Sequence, residues 1–97
     1  MNNSKILIVE DNEDIILLTK AVLSYKGYQI FTANNGHDGL ALAEESQPHL
    51  IILDVMMPDL DGYQVLEKLK ANNSTKEIPV AFLTAKTQED EIKKGIE

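Results

Sequence analysis

ILDVMMPDLDG, running from Ile52 to Gly62, is a strand that delivers an acid into a turn. With Ile51 before it, Ile52 and Leu53 form a short apolar run, which reads as a buried strand. Asp54 closes that run, and an ionisable group at such a position is costly unless something uses its charge. Working outward, ILIVEDN (Ile6 to Asn12) repeats the arrangement, with an apolar strand ending in Glu10 and Asp11. Two buried strands, each tipped with carboxylate, bring three acids to one place. That is a site for a hard divalent cation and a reactive carboxylate.

The rest of the chain arranges itself around these two strands. Lys5 to Glu10 is the first strand, and Asn12 caps a helix running to about Lys26, with Ile15, Leu18 and Val22 on one apolar face. Gly27 stops it. Tyr28 to Ala33 is a second strand, Asn34-Asn35-Gly36 a turn, and His37 to Glu45 a second helix weakened by Gly39. Leu50 to Asp54 is the third strand. Asp61 or Gly62 opens a third helix that turns Val65, Leu66 and Leu69 inward, and Asp61 is its cap. After a polar loop from Asn72 to Glu77, Pro79 to Thr84 is a fourth strand, and Thr87 starts a fourth helix with capping-box spacing to Asp90. Alternating strand and helix gives a parallel sheet with helices on both faces, a doubly wound α/β fold. Strands one, three and four are apolar on nearly every residue, as strands covered on both sides should be.

Composition narrows the function. The chain has 97 residues, is 43% hydrophobic and carries a formal net charge of −7, so it reads as one small domain without the basic surface that binds nucleic acid. It has no cysteine, which leaves no disulfide framework and no thiolate metal site. The apolar run near its start is only four residues long, too short for a signal peptide or a membrane span.

These residues resemble the receiver domain of bacterial two-component response regulators. The resemblance rests on Glu10-Asp11 after the first strand, Asp54 after the third, Pro58 and Gly62 in the next loop, Pro79 before the fourth strand and Thr84-Ala85 after it. It extends along essentially the whole chain. It implies a flavodoxin-like fold with strand order 2-1-3-4, and it implies where the site lies. Ligands of such sheets bind beyond the carboxyl ends of the strands where the order reverses, between strands one and three. Receivers continue into a fifth strand and helix, with an aromatic residue and a lysine followed by proline. This chain stops at Lys93-Lys94-Gly95-Ile96-Glu97. The expectation is therefore a single receiver domain over residues 1–97, truncated at its C-terminal end.

The chemistry follows. Glu10-Asp11 alone reads as a solvated acidic turn, but Asp54 after a second buried strand turns the reading towards a cation site. Three close carboxylates repel, and Mg²⁺ with its oxygen ligands relieves the repulsion. The resemblance implies ligation by Asp11, Asp54 and the Met56 backbone carbonyl, with Glu10 acting through water. It implies that Asp54 accepts phosphate from a phosphohistidine on a sensor histidine kinase or phosphotransfer protein in the cytoplasm, and that the Thr84 hydroxyl contacts the phosphoryl group. It implies a signalling domain rather than an enzyme. A phosphatase using an aspartyl nucleophile would carry a second acid two residues on, where this chain has Met56. His37 and His49 read as surface residues, and Lys86, Lys93 and Lys94 do not match the family lysine. The other reading kept open is a receiver fragment that folds or assembles without signalling. In it, Val80 to Leu83 form an unprotected apolar edge and the chain self-associates through strand four and helix four.

Overall fold

The computed structural model describes residues 4–83. Thr84, Lys86, the helix begun at Thr87 with Lys93 and Lys94, and with it the helix-four part of the expected self-association surface, lie outside the described residues. The elements are β1 (Lys5–Val9), α1 (Glu13–Tyr25), β2 (Gln29–Ala33), α2 (Gly36–Ser46), β3 (Leu50–Asp54), α3 (Gly62–Ala71) and β4 (Val80–Leu83). The four strands form one parallel sheet in the order β2-β1-β3-β4, the expected order.

That order places the helices. The chain steps one way from β1 to β2 and the opposite way from β2 to β3. Right-handed crossovers therefore put α1 and α2 on opposite faces. Alternate strand residues serve the two faces. Leu7, Val9, Ile51 and Leu53 join Ala43 of α2 and Val65 and Leu69 of α3 in the main buried cluster. Ile6 and Ile8 point the other way and are also buried. Such two-sided burial is why β1 is apolar throughout after Lys5 and β3 is apolar up to Asp54.

Helix ends follow local chemistry. The Asn12 side chain accepts from the Asp14 and Ile15 amides, and Gly27 turns the chain at φ 93° after α1. Asp61 and Gln64 form a reciprocal capping box at the start of α3.

Two readings need correction. Leu18 and Val22 do not form an inward face of α1, being 69% and 52% exposed. The half-buried residues of α1 are Ile15, Ile16, Thr19 and Leu23, so the helix is rotated from the face its apolar pattern suggested. A polar Thr19 in the inward stripe hides that rotation from a hydrophobic count. Gly39 is also not a weakness of α2. A Cβ there would lie 2.7 Å from Val9 Cγ1, so the glycine lets α2 sit directly against β1.

Candidate functional site

The parallel register of β1 and β3 pairs Val9 with Leu53. Continuing it by one residue sets Glu10 beside Asp54. The Glu10 amide donates to the Ala33 carbonyl at 3.0 Å, so β2 holds the backbone of Glu10 just past the end of β1. The Asn12 amide donates to Glu10 Oε2 at 2.9 Å and folds the side chain back over the strand end.

One carboxylate oxygen from each of Glu10, Asp11 and Asp54 lies within 4.8 Å of the other two. The three acids singled out in the sequence do converge. Their environments differ: Glu10 is 1% exposed, Asp54 7% exposed, and Asp11 is open to solvent. Asp54 Oδ2 is buried and has no hydrogen-bond partner among the described residues. A buried carboxylate oxygen without a donor is costly. An all-oxygen donor set with an unsatisfied buried member suits a hard divalent cation.

Burial pushes the Glu10 carboxyl up to about 7, and contact with Asp11 and Asp54 adds to the rise against the Asn12 amide. Between its ordinary value of 4.5 and about 7, the folded metal-free protein binds a proton at Glu10 that the unfolded chain does not. Stability from this group is therefore lost as pH rises through that window. Glu10→Gln removes the titration while keeping an oxygen for the Asn12 amide. In metal-free buffer, the variant should match wild type near pH 4.5 and unfold at a higher urea concentration than wild type above pH 7. A gap that stays constant with pH would show that Glu10 titrates normally.

The loop from Val55 to Asp61 forms one wall of the site. Met56 is 57% exposed, and together with Asp11, Val55, Met57, Pro58, Asp61 and Tyr63 it lines an open cleft of about 550 Å³. A larger groove of about 680 Å³ is lined by α1, the end of β2 and α2, among others by Ile16, Leu17, Ala33 and Ala41, and by none of the three acids. The loop closes through the Gly62 amide, which donates to the Val55 carbonyl at 2.8 Å.

A residue that the sequence did not single out for the site is Asp59. Its Oδ1 accepts from the Gly36 amide at 2.8 Å and its Oδ2 from the His37 amide at 2.9 Å. His37 Nδ1 lies 2.7 Å from the same Oδ2 and, facing a carboxylate, is the donor. The Gly36 and His37 amides hold the Asp59 carboxyl well below the usual carboxylate range. His37 is exposed, as expected, but it is not idle. His49 is exposed too, and its Nδ1 accepts from the Lys5 amide at the far end of the sheet. No sequence spacing signals the Asp59 contact, because its partners lie 22 and 23 residues away.

Residues 6–97 match the family model described as the response regulator receiver domain. The chain is 41% identical over 95 residues to the alkaline phosphatase synthesis transcriptional regulatory protein PhoP of Bacillus subtilis. That match covers 98% of this chain and 39% of the regulator, so the chain spans well under half of that relative's length. Among solved structures, it resembles the N-terminal domain of a response regulator receiver protein from Methanoculleus marisnigri. The TM-score is 0.82 at 36% identity, over 94% of this chain and 76% of that one. It also resembles the receiver domain of a sensor histidine kinase from Pseudomonas aeruginosa, solved with magnesium coordinated in its active site cleft. There the TM-score is 0.84 at 27% identity, over 95% of this chain and 75% of that one.

Proposed function

The chain belongs to the response regulator receiver domain family, and from that premise we propose that Asp54 accepts a phosphoryl group in a Mg²⁺-dependent reaction. Asp11, Asp54 and the Met56 backbone carbonyl hold the ion, and Glu10 contributes through water. The observation that supports this reading most is the buried, unpartnered Asp54 Oδ2 with the Glu10 and Asp11 carboxylates beside it. Bound there, Mg²⁺ supplies positive charge to offset three carboxylates and the incoming phosphoryl oxygens.

The residues of the chain do the rest. An Asp54 oxygen forms a bond to phosphorus while the bond from phosphorus to the imidazole nitrogen of a partner's phosphohistidine breaks. The freed imidazole takes a proton from solvent. The β3 backbone fixes Asp54 at the strand end, and near-complete burial limits access of water to it. The Asn12 amide orients Glu10. Thr84 donates its hydroxyl to a phosphoryl oxygen in this reading; Leu83, the residue before it, pairs with Asp54 in the sheet. The partner is a sensor histidine kinase or a phosphotransfer protein, and the domain is a phospho-accepting signalling module rather than an enzyme. A cytoplasmic setting agrees with the absence, among the described residues, of any helix long and apolar enough to cross a membrane. The net charge of −7 disfavours nucleic acid as a direct partner.

Titration with Mg²⁺ followed by amide chemical shifts tests the metal assignment. Shifts should concentrate at Glu10 to Asn12 and Asp54 to Met56, and Asp11→Ala should weaken binding roughly ten-fold or more. Shifts centred elsewhere, or an Asp11→Ala protein that binds as well as wild type, would displace the site.

A further inference from the structure

We infer that Asp59 is a positioning residue for the cation site: it latches the loop carrying Met56 to the N-terminus of α2, and metal affinity depends on that latch although Asp59 does not belong to the acid cluster. The inference rests on the reading of Glu10, Asp11, Asp54 and Met56 as the Mg²⁺ site.

The first amides of a helix have no partner within the helix. In α2 the usual local solution is only half used. The Asn35 cap accepts from the Asp38 amide. The Gly36 and His37 amides instead go to Asp59, which belongs to the loop between β3 and α3. A carboxylate with one oxygen on each of two adjacent amides forms charge-assisted bonds of fixed direction. These bonds also meet the positive end of the helix dipole. The loop is then held at three points. The Gly62 amide bonds Val55, Asp61 caps α3, and Asp59 ties the middle of the loop to α2.

The latch has a stiff anchor. The site of a Cβ on Gly36 lies 2.8 Å from Leu60 Cβ, so the start of α2 and the loop are in close packing contact as well as hydrogen-bonded. Three residues further along, Gly39 seats α2 against Val9, the residue before Glu10. One helix therefore braces both walls of the acid cluster, directly under β1 on one side and through Asp59 on the other. Releasing Asp59 frees the stretch from Met56 to Leu60, and the Met56 carbonyl loses its fixed direction. Residues that orient metal ligands from outside the coordination sphere typically matter about ten-fold or more in affinity.

The test compares Mg²⁺ affinity, read from amide shifts at Asp54 to Met56, in wild type, Asp59→Ala, Asp59→Asn and Thr75→Ala. Asp59→Ala should weaken binding by about ten-fold. Asp59→Asn loses the same charge but keeps an acceptor for one amide, so it should retain more affinity than the alanine variant. Thr75→Ala removes a buried hydroxyl bond to the Leu69 carbonyl at the other end of the sheet. It should lower stability and leave affinity unchanged, which separates positioning from general loosening. Equal weakening in the Asn and Ala variants would make the effect one of charge and overturn the latch. So would wild-type affinity in a folded Asp59→Ala protein or, if that variant does not fold, in Asp59→Asn. If wild type itself shows no Mg²⁺-dependent shifts at the acid cluster, the site assignment fails, and the latch falls with it.

Discussion

Asp54→Asn is expected to abolish phosphate uptake completely. Wild-type protein incubated with Mg²⁺ and a small acyl phosphate donor, or with a phosphorylated kinase partner, should gain one phosphoryl group by intact-mass measurement. The Asn variant should gain none. An amide is not a nucleophile towards phosphorus under these conditions, and neighbouring carboxylates do not replace it. Asp11 is exposed and Glu10 is buried with one oxygen engaged by the Asn12 amide. Loss of uptake must not come from loss of the fold. Asp54 contributes a buried oxygen without a partner and repels two other acids, so the metal-free variant should be at least as stable as wild type. A variant that is folded yet retains labelled phosphate would sink the assignment.

The second large effect is structural. Gly62→Ala should lower stability by about 3 kcal/mol, read as a fall in the urea midpoint with unchanged slope. Helix propensity alone gives the opposite sign, because alanine is preferred to glycine in a helix by about 1 kcal/mol. What decides is the surroundings. A Cβ on Gly62 would sit 2.5 Å from the Asp54 carbonyl oxygen, 2.9 Å from Val55 Cα and 3.1 Å from the Phe82 ring. Two of these are backbone atoms, which cannot move aside by a change of rotamer. The loop must shift, and Asp54 shifts with it, so Mg²⁺ affinity should fall together with stability. Unchanged or raised stability would mean that the β3 end gives way more easily than its packing implies.

Much of this was legible in the chain. β1 and β3 could be read because strands covered on both faces leave long apolar runs, and the acids stood out as charges at the ends of those runs. Asp61 was legible as a cap because its partner is three residues away. The order 2-1-3-4 came from resemblance to a family, since local pattern does not say which strands are neighbours. Other features depend on distant contacts. The apolar residues of α1 gave a face, but packing of the helix against β2 chose a different one, leaving Leu17 and Leu18 outside. Gly39 and Gly62 looked like a weak point and a helix start. Their reasons are Val9 and the Asp54 carbonyl, which no count along the chain brings near. Gln47 ends α2 at φ 50°, a conformation in which glycine is the usual signal and was absent.

All four strands run in one direction, so the sheet has a chemical polarity. Every acid of the cluster is at one rim. The opposite rim is stitched together by Lys5, Ser46 and His49 and carries the turn around Asn73, separated from the acids by about 16 Å of strand. The chain has no cysteine, so Asn73→Cys would create a unique thiol on that quiet rim. A fluorophore or surface tether attached there would report on the domain, or immobilise it, while leaving the reactive rim open to an incoming protein.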